Sequence, residues 1–234
     1  MMEAKDLNRF LQMSLSLSSE RDRESLLSAI LDTAMDFAHC DAGTLYLLGE
    51  GGLGFCRMVT RSQNVRQGGH DAPITLPPVP IDEKYACAWT AIHNEALNVA
   101  DVQADGRFNF SGPAQYDAMT GYRTSSMLVV PMTDDKGGLI GVMQLINALD
   151  GAGNVVPFDP EMELLISAVA SQAAISITNM QYAEKVTRLL DSLVMALSIA
   201  IEKLSPYKAG ERTDKERYEE LLRHLQVENP WKFG

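Results

Sequence analysis

The residues best suited to chemistry lie between Asn98 and Asn147. The first part of this stretch reads NVADVQADGRFN and then TGYRTSS, which places carboxylates, hydroxyls and amides in a segment bounded by Gly and Pro. The second part, MLVVPM and GGLIGVMQLINA, contains two β-prone runs that can close a core beneath those polar groups. Polar loops above a pair of strands suit a small-molecule pocket better than an active site.

Helices and strands that flank this segment must position it. Apolar stripes at helical spacing predict one helix over residues 22–39 and another over 5–17. A short helix is expected near 84–94, and the polar run 61–72 is expected to be an exposed loop. Short β-prone runs separated by turn residues predict strands at 44–48, 55–60, 74–76, 97–100, 126–132 and 139–146. The hairpin formed by the last two predicts a mainly antiparallel sheet.

A long helix is predicted after Asp159-Pro160-Glu161, because a carboxylate caps a helix and proline suits its first position. Nothing in the sequence breaks this helix between residues 162 and 204, a length of about 65 Å at 1.5 Å per residue. Its second half spaces apolar residues alternately three and four apart, at Ala183, Val186, Leu190, Leu193, Leu197, Ala200 and Leu204. This heptad seam predicts a homodimer joined through helices, and the alternative is a helix packed on its own domain or on the N-terminal helix.

The order of these elements, together with NVADVQADGRFN, TGYRTSSMLVVPM and GVMQLIN, resembles GAF domains of cyclic-nucleotide phosphodiesterases and bacterial signalling proteins. The resemblance covers residues 22–182. It implies an α/β (α+β) class and a GAF/PAS-like six-stranded antiparallel sheet with flanking helices and a long C-terminal helix. We therefore expect an N-terminal helix (1–21), a GAF domain (22–182), a coiled-coil-like stem (183–205) and a charged tail with a short helix (206–234).

The same resemblance implies a set of ligand-binding positions on strands, helix starts and turns. Strand contacts to the ligand would come from Gly43, Thr44, Val59, Thr60 and Arg61, and Ala86 and Cys87 would offer helix-start amides to a phosphate. The remaining positions would discriminate among ligands through their side chains: Asp117, Thr120, Thr124 and Gln144. An alternative for the three residues between 117 and 124 is simple loop capping, since Asp and Thr satisfy backbone groups in turns.

Two departures from the phosphodiesterase pattern are visible. Those relatives carry a dispersed Asn, Lys, Phe, Asp, Glu pattern at the end of the domain, and Asn147, Phe158 and Glu163 match it. Ala148 stands in place of the lysine and Met162 in place of the aspartate, so the Lys–Asp ion pair of those relatives cannot form. A cyclic nucleotide is therefore a possible ligand, but the resemblance by itself does not imply that it binds.

Enzymatic activity is not expected. Cys40, Cys56 and Cys87 do not match the cysteines of GAF-like free methionine sulfoxide reductases or of bilin-binding domains, and only Cys87 sits near a helix start that would activate a thiol. The four histidines form no metal-ligand spacing, and the run from Asp101 has Gly112 where a calcium loop needs glutamate. AIEKLSPYKAG resembles the entry to an HD-GYP domain, but Glu211 stands where its first histidine belongs.

Composition limits the partners. A net charge of −11 and a pI near 4.8 argue against binding to nucleic acid or to an anionic membrane surface. No signal peptide or membrane-spanning run is present in the sequence, so we expect a cytoplasmic protein. The prediction is a GAF-type sensory module that binds a small ligand and signals through a helical dimer to a downstream protein. The alternative is a dimerising scaffold with a vestigial pocket.

Overall fold

The computed structural model describes residues 12, 14, 15, 20, 22–204 and 219. Residues 12, 14 and 15 are helical, but most of the predicted helix over 5–17 lies outside the described residues. Most of the tail 206–234 with its predicted short helix, and the HD-GYP-like segment beyond residue 204, lie outside them as well. No helix of the described part is both long and apolar enough to cross a membrane.

Four helices are formed by the segment 22–204. The first, α1 (Arg23–Ala38), begins where the Asp22 carboxylate accepts the Ser25 N–H at 2.8 Å and ends at His39 in the left-handed conformation. The others are α2 (Ala86–His93), α3 (Ser111–Thr120) and α4 (Pro160–Leu204). At the start of α4 the Asp159 carboxylate accepts the Glu161 N–H at 2.8 Å.

The strands form one seven-stranded sheet in which every pair is antiparallel. Its order is β3-β2-β1-β6-β5-β4, and β7 pairs with the end of β6. The bounds are β1 (Cys40–Gly49), β2 (Gly52–Thr60), β3 (Val65–Gln67), β4 (Leu97–Val99), β5 (Met127–Thr133), β6 (Leu139–Leu149) and β7 (Val155–Val156). The predicted class, an antiparallel sheet with flanking helices and a long C-terminal helix, is confirmed.

Three strand predictions need correction, and they change the strand number from six to seven. Residues 74–76 form no strand, because Pro77 and Pro78 follow at once and remove two backbone donors from the ladder. The predicted loop 61–72 instead contains β3, which pairs with the end of β2. The strand β3 has one apolar residue, Val65, and β7 is only two valines long, so neither offers a side-chain pattern long enough to predict a strand.

The sheet has two covered faces. On the helix face, side chains of Leu45, Val59, Leu128, Met143 and Leu145 join α1 and the first part of α4 in one buried cluster. On the opposite face, here called the α2 face, a second cluster joins strand residues to the helix: Tyr46, Met127, Val129, Val142, Ala86, Cys87 and Ala88. Both clusters lie within the first of the two compact units of the chain, residues 1–180.

The second unit comprises residues 181–234, and within it the structure describes the rest of α4 and residue 219. The predicted seam residues from Ala183 to Ala200 are exposed along this part of α4. Among the large ones, Val186 is 53% exposed, Leu190 45%, Leu193 56% and Leu197 53%. This length of helix therefore carries an apolar stripe that is exposed in the part of the chain that the structure describes.

Candidate functional site

Strand alternation assigns Thr44 and Gln144 to the α2 face. Gln144 on β6 pairs with Thr44 on β1 and with Val129 on β5, so the three form one row across the centre of the sheet. The chain neighbours of Gln144, Met143 and Leu145, belong to the helix face. Because successive side chains in a strand point to opposite faces, the Gln144 amide lies beneath α2.

Gln144 is buried without an internal hydrogen-bond partner. Its side chain is only 7% exposed, and none of the hydrogen bonds found within the described residues involves its amide. Thr44, 4% exposed, lies two strand positions before Tyr46, and burial raises the pKa of the Tyr46 hydroxyl. Neither atom of the Gln144 amide belongs to the fully buried side-chain atoms that lack a partner among the described residues, so the amide keeps contact with solvent, and a bound polar ligand would replace that solvent.

Three other predicted residues share the α2 face. Thr60, buried at the end of β2, lies one strand position beyond Val59 of the helix face. Ala86 and Cys87 are buried in the first turn of α2 and pack in the cluster with Tyr46. The structure therefore collects strand hydroxyls, one amide and the start of a helix on a single side of the sheet.

Two predicted residues lie on the other side. Gly43 pairs with Val59 across β1 and β2, and Val59 packs in the helix-face cluster. A Cβ atom at Gly43 would stand 2.8 Å from Leu31 Cδ1 and 3.1 Å from Met35 Cγ. Any contribution of Gly43 or Val59 to a ligand on the α2 face is therefore limited to backbone atoms.

Arg61 follows β2 at the end of the sheet. Its guanidinium bonds Asp36 on α1 at 2.5 Å, and it lines a cleft of about 530 Å³ with His39, Asp41 and Asp150. Among the predicted ligand residues, the lining of this cleft includes Arg61 alone. The cation is thus engaged with α1 rather than directed at the Gln144 row.

Asp117, Thr120 and Thr124 are engaged in local hydrogen bonds. The N–H and hydroxyl of Thr124 donate to the two carboxylate oxygens of Asp117, at 2.8 and 2.9 Å. The Thr120 hydroxyl donates to the Tyr116 carbonyl at 2.8 Å. These contacts are of the loop-capping kind that was the alternative to ligand binding. In the present geometry they leave the three side chains little freedom to bind a ligand.

The helix that carries these residues, α3, buries none of its side chains. Its C-terminal end is held by polar contacts, including a bond of 3.0 Å from Gln63 Nε2 to the Thr120 carbonyl. A helix held by a few surface hydrogen bonds opens at lower free energy than one anchored in a core. The helix is therefore the one of the four in the segment 22–204 that can move without breaking the core.

A buried network fixes the turn that leads from α3 into β5. Asn147, with a φ of 58°, donates its amide to the Tyr122 hydroxyl (3.0 Å) and the Arg123 carbonyl (2.7 Å) and accepts the Ser125 N–H at 2.8 Å. Burial first, and the neighbouring Asp41 carboxylate second, raise the pKa of Tyr122. Asp41 also accepts the N–H and hydroxyl of Ser62, at 2.9 and 2.7 Å.

The two departures from the phosphodiesterase pattern fall on the helix face. Ala148 is buried in that cluster, and Met162 packs against it. Apolar contact therefore occupies the place that the resemblance assigns to a Lys–Asp pair. The loss of the Lys–Asp pair therefore does not change the side chains on the α2 face.

The cysteines are not arranged for nucleophilic chemistry. Burial raises the pKa of Cys87 to about 11 and that of Cys40 to about 12, and it raises the pKa of Cys56 as well. A thiol with such a pKa is almost entirely protonated at neutral pH. Cys87, whose position at a helix start made it the best candidate for an activated thiol, is a packing residue in this geometry.

The sequence prediction missed two residues of the α2 face. Tyr46 lies two positions beyond Thr44, and strand alternation alone could have identified it. Thr90 is fully buried on α2, and its hydroxyl has no hydrogen-bond partner among the described residues. It lies four and three positions after Ala86 and Cys87, so helical spacing places it on the same side of α2.

Comparison with known proteins identifies the family of this arrangement. The family model described as "GAF domain" matches residues 22–177. The chain is 28% identical over 181 residues to dual 3',5'-cyclic-AMP and -GMP phosphodiesterase 11 of Drosophila melanogaster, and 28% over 178 residues to phosphodiesterase 11A of Takifugu rubripes. These matches cover 72% and 74% of this chain but only 12% and 18% of the relatives.

Solved structures show the same fold. The GAF domain of an Acinetobacter phosphoenolpyruvate-protein phosphotransferase superposes with a TM-score of 0.58 at 13% identity, over 79% of this chain and 99% of that one. A free methionine-R-sulfoxide reductase of Neisseria meningitidis gives a TM-score of 0.53 at 17% identity, over 78% and 96% of the two chains. At these identities the likeness concerns architecture alone.

Proposed function

The chain belongs to the GAF domain family, and we propose that it is a sensory or regulatory module that binds a small ligand on the α2 face. The proposal rests on the Gln144 row. A sheet that only stabilised the fold would carry apolar side chains at its centre, as the helix face does. Here the Gln144 amide, without a hydrogen-bond partner among the described residues, stands in one row with the buried side chain of Thr44.

A cyclic nucleotide is the first ligand class to test. The phosphodiesterase relatives are named for action on cyclic AMP and cyclic GMP, although this chain spans less than a fifth of their length. We propose that a base-like ring occupies the Gln144 row and that the first-turn amides of α2 face its phosphate. Catalysis is not part of the proposal.

Thermal unfolding of the chain with cyclic mono- and dinucleotides tests this function. A ligand present at 100 times its dissociation constant adds about 2.7 kcal/mol to the unfolding free energy. The stabilisation should disappear in Gln144→Leu and persist in Gln172→Leu, a control on α4 outside the α2 face. Absence of a shift with every ligand would reject the sensory function.

We propose that α3 and the segment around it respond to the ligand. The present packing buries most of Gln144, so a ligand enters only if the elements around it move, and α3 has no buried side chain to resist such a movement. A ligand shifts such an equilibrium only by its difference in affinity for the open and closed states. Hydrogen exchange should show greater protection in 101–124 and a changed pattern in α4 when ligand is bound. Unchanged exchange in both regions would contradict the mechanism.

We further propose that the exposed stripe of α4 pairs with a second copy of the chain. Its apolar residues repeat every three or four positions over about three heptads, the pattern of a two-stranded coiled coil. Light scattering should show a dimer for the native chain and a monomer for Leu190→Lys. The control, Thr187→Lys, changes an exposed residue outside the seam. A dimer that survives Leu190→Lys would reject pairing through this stripe.

The competing function is a dimerising scaffold whose pocket is vestigial. One observation favours it: the apolar cluster of the α2 face, with Val129, Val142 and Phe55, already packs against α2. A scaffold would show a dimer and no response to any ligand in the thermal assay. We propose as well that the chain acts in the cytoplasm and that a downstream protein receives its signal.

A further inference from the structure

The turn between β2 and β3, residues 61–64, contacts both α3 and α1. We propose that this turn couples the two helices, so that movement of α3 changes the stability of the last two turns of α1, residues 32–38. The inference rests on the proposed function, because it takes α3 as the element that responds to a ligand. It assigns α1 as a second helix, besides α4, that receives the response, and Gln63 as the residue that connects the turn to α3.

The contact between the turn and α3 is a hydrogen bond to the last residue of the helix. Gln63 Nε2 donates to the Thr120 carbonyl at 3.0 Å. Carbonyls in the last turn of a helix have no partner within the helix, so a side-chain donor there satisfies a group that would otherwise need water. Because α3 buries no side chain, polar contacts of this kind hold its C-terminal end in place.

The contact with α1 consists of two ion pairs, one before Gln63 in the chain and one after it. The Arg61 guanidinium bonds the Asp36 carboxylate at 2.5 Å and also donates to the Asp32 carbonyl at 3.3 Å. The Arg66 guanidinium bonds the Asp32 carboxylate at 2.9 Å. Asp32 and Asp36 are four residues apart and therefore lie on one side of α1. Each partly exposed pair contributes little alone, but the two together connect the turn to the last two turns of α1.

The turn itself is held in one conformation by its own hydrogen bonds. Asn64, with a φ of 52°, donates its N–H to the Arg61 carbonyl at 3.0 Å. Ser62 donates its N–H and its hydroxyl to the Asp41 carboxylate at 2.9 and 2.7 Å, and β3 follows at once, paired with β2. Energetic coupling is carried by such chains of hydrogen bonds and ion pairs between packed elements. A displacement of α3 is therefore passed to the ion pairs with α1 instead of being absorbed by flexible backbone.

Hydrogen exchange of the full chain without ligand tests the coupling. Ala118 is exposed within α3, and Ala118→Gly should open that helix about fivefold more often, because glycine is a poor helix former. We expect the exchange of residues 32–38 in α1 to rise as well, by at least about twofold. This rise should disappear when Ala118→Gly is made in the Gln63→Leu chain. The matched control, Gln67→Leu, makes the same chemical change on β3 and should leave the rise in place.

Salt gives a second measurement that needs no substitution in the turn. Exposed ion pairs are screened at about 1 M salt, where the Debye length is about 3 Å. The response of residues 32–38 to Ala118→Gly should therefore vanish at that salt concentration, whereas the response of α3 itself should remain.

Unchanged exchange in residues 32–38 after Ala118→Gly overturns the inference. A rise that persists in the Gln63→Leu chain, or at high salt, overturns it as well, because the turn and its ion pairs would then not carry the coupling. The test contains no ligand, so these results leave the sensory function to its own thermal assay. A chain that shows the coupling but binds no ligand would contradict the proposed function alone.

Discussion

The two faces of the sheet are built from alternate residues of the same strands but differ in what they bury. The helix face packs Leu45, Leu128, Met143 and Leu145 against α1 and α4, and its buried cation, Arg57, is paired with Asp71 at 2.5 Å. The α2 face carries Gln144 and Thr44 at its centre. The centre of one face is therefore apolar, whereas the centre of the other carries a row of polar side chains.

Leu145→Ala should have the largest effect, because it removes buried apolar atoms from the cluster on the helix face. Leu145 is fully buried, and replacing a buried leucine by alanine costs roughly 2–5 kcal/mol through lost burial and a residual cavity. Urea unfolding followed by circular dichroism measures the loss. A change well below 1 kcal/mol would mean that the helix face is less tightly packed than the structure indicates.

Asn147→Ala should come next, because Asn147 supports the turn that delivers β5 to both faces. The substitution removes the hydrogen bonds to Tyr122, Arg123 and Ser125, for a total loss of roughly 2–4 kcal/mol. Asn64→Ala is the matched control: Asn64 also has a positive φ, 52°, but it is exposed. The control isolates the backbone strain, about 1 kcal/mol. Equal losses in the two variants would show that the network contributes nothing beyond backbone conformation.

Gly43→Ala tests how closely α1 approaches the helix face. The added Cβ would lie 2.8 Å from Leu31 Cδ1, and Leu31 is fully buried, so we expect a loss of roughly 1–3 kcal/mol from overpacking. Gly54→Ala on β2 is the control, since its Cβ would meet Leu47 O at an ordinary 3.7 Å. Thermal denaturation of the two variants should therefore differ. Identical melting curves would contradict the close contact.

Gln144→Leu is expected to change the free energy of unfolding by less than about 1 kcal/mol, because it replaces an amide that has no hydrogen-bond partner among the described residues but still reaches solvent. The adjacent Leu145→Ala is expected to cost much more, so the pair contrasts the two faces at consecutive positions. Urea unfolding without ligand gives the comparison. A clear destabilisation by Gln144→Leu would show that the amide has a stabilising partner.

The smallest effect concerns pH, at the loop beside the start of α1. The hydrogen bond to Asp22 raises the pKa of His70, and the bond from His70 lowers that of Asp22 to about 2. The raised histidine pKa stabilises the fold fully below its unfolded value of about 6.5, and this contribution is lost as pH rises through the folded value. The lowered Asp22 pKa contributes above about 3.8 and is lost toward pH 2.

The pair should therefore stabilise the fold most between about pH 4 and 6.5, and only weakly, because both groups are exposed and screened by salt. The melting temperature of the native chain, relative to that of His70→Gln, should be slightly higher at pH 5.5 than at pH 8.5. If both proteins show the same difference, the pair makes no contribution.

Much of the fold was predictable from periodicity. Helical spacing located α1 and α4, and the β-prone runs of β5 and β6 identified the central hairpin. The strands β3 and β7 could not be found in this way, because they are only three and two residues long and their pairing is determined by backbone groups brought close by the rest of the sheet. The β-prone run at residues 74–76 gave a wrong prediction because prolines, which lack a backbone donor, flank it on both sides.

The candidate site was predictable only as a set of positions. The sequence by itself determined the family, the antiparallel sheet, the long helix and the presence of polar groups in the right segments, because these depend on local pattern and composition. Only the tertiary structure decided that Gly43 and Val59 face the helices, that Asp117 caps Thr124, and that Gln144 stands buried beside Thr44 without a partner. The physical reason is that strand register and packing across the sheet, rather than residue type, decide which polar atoms find a partner inside the fold.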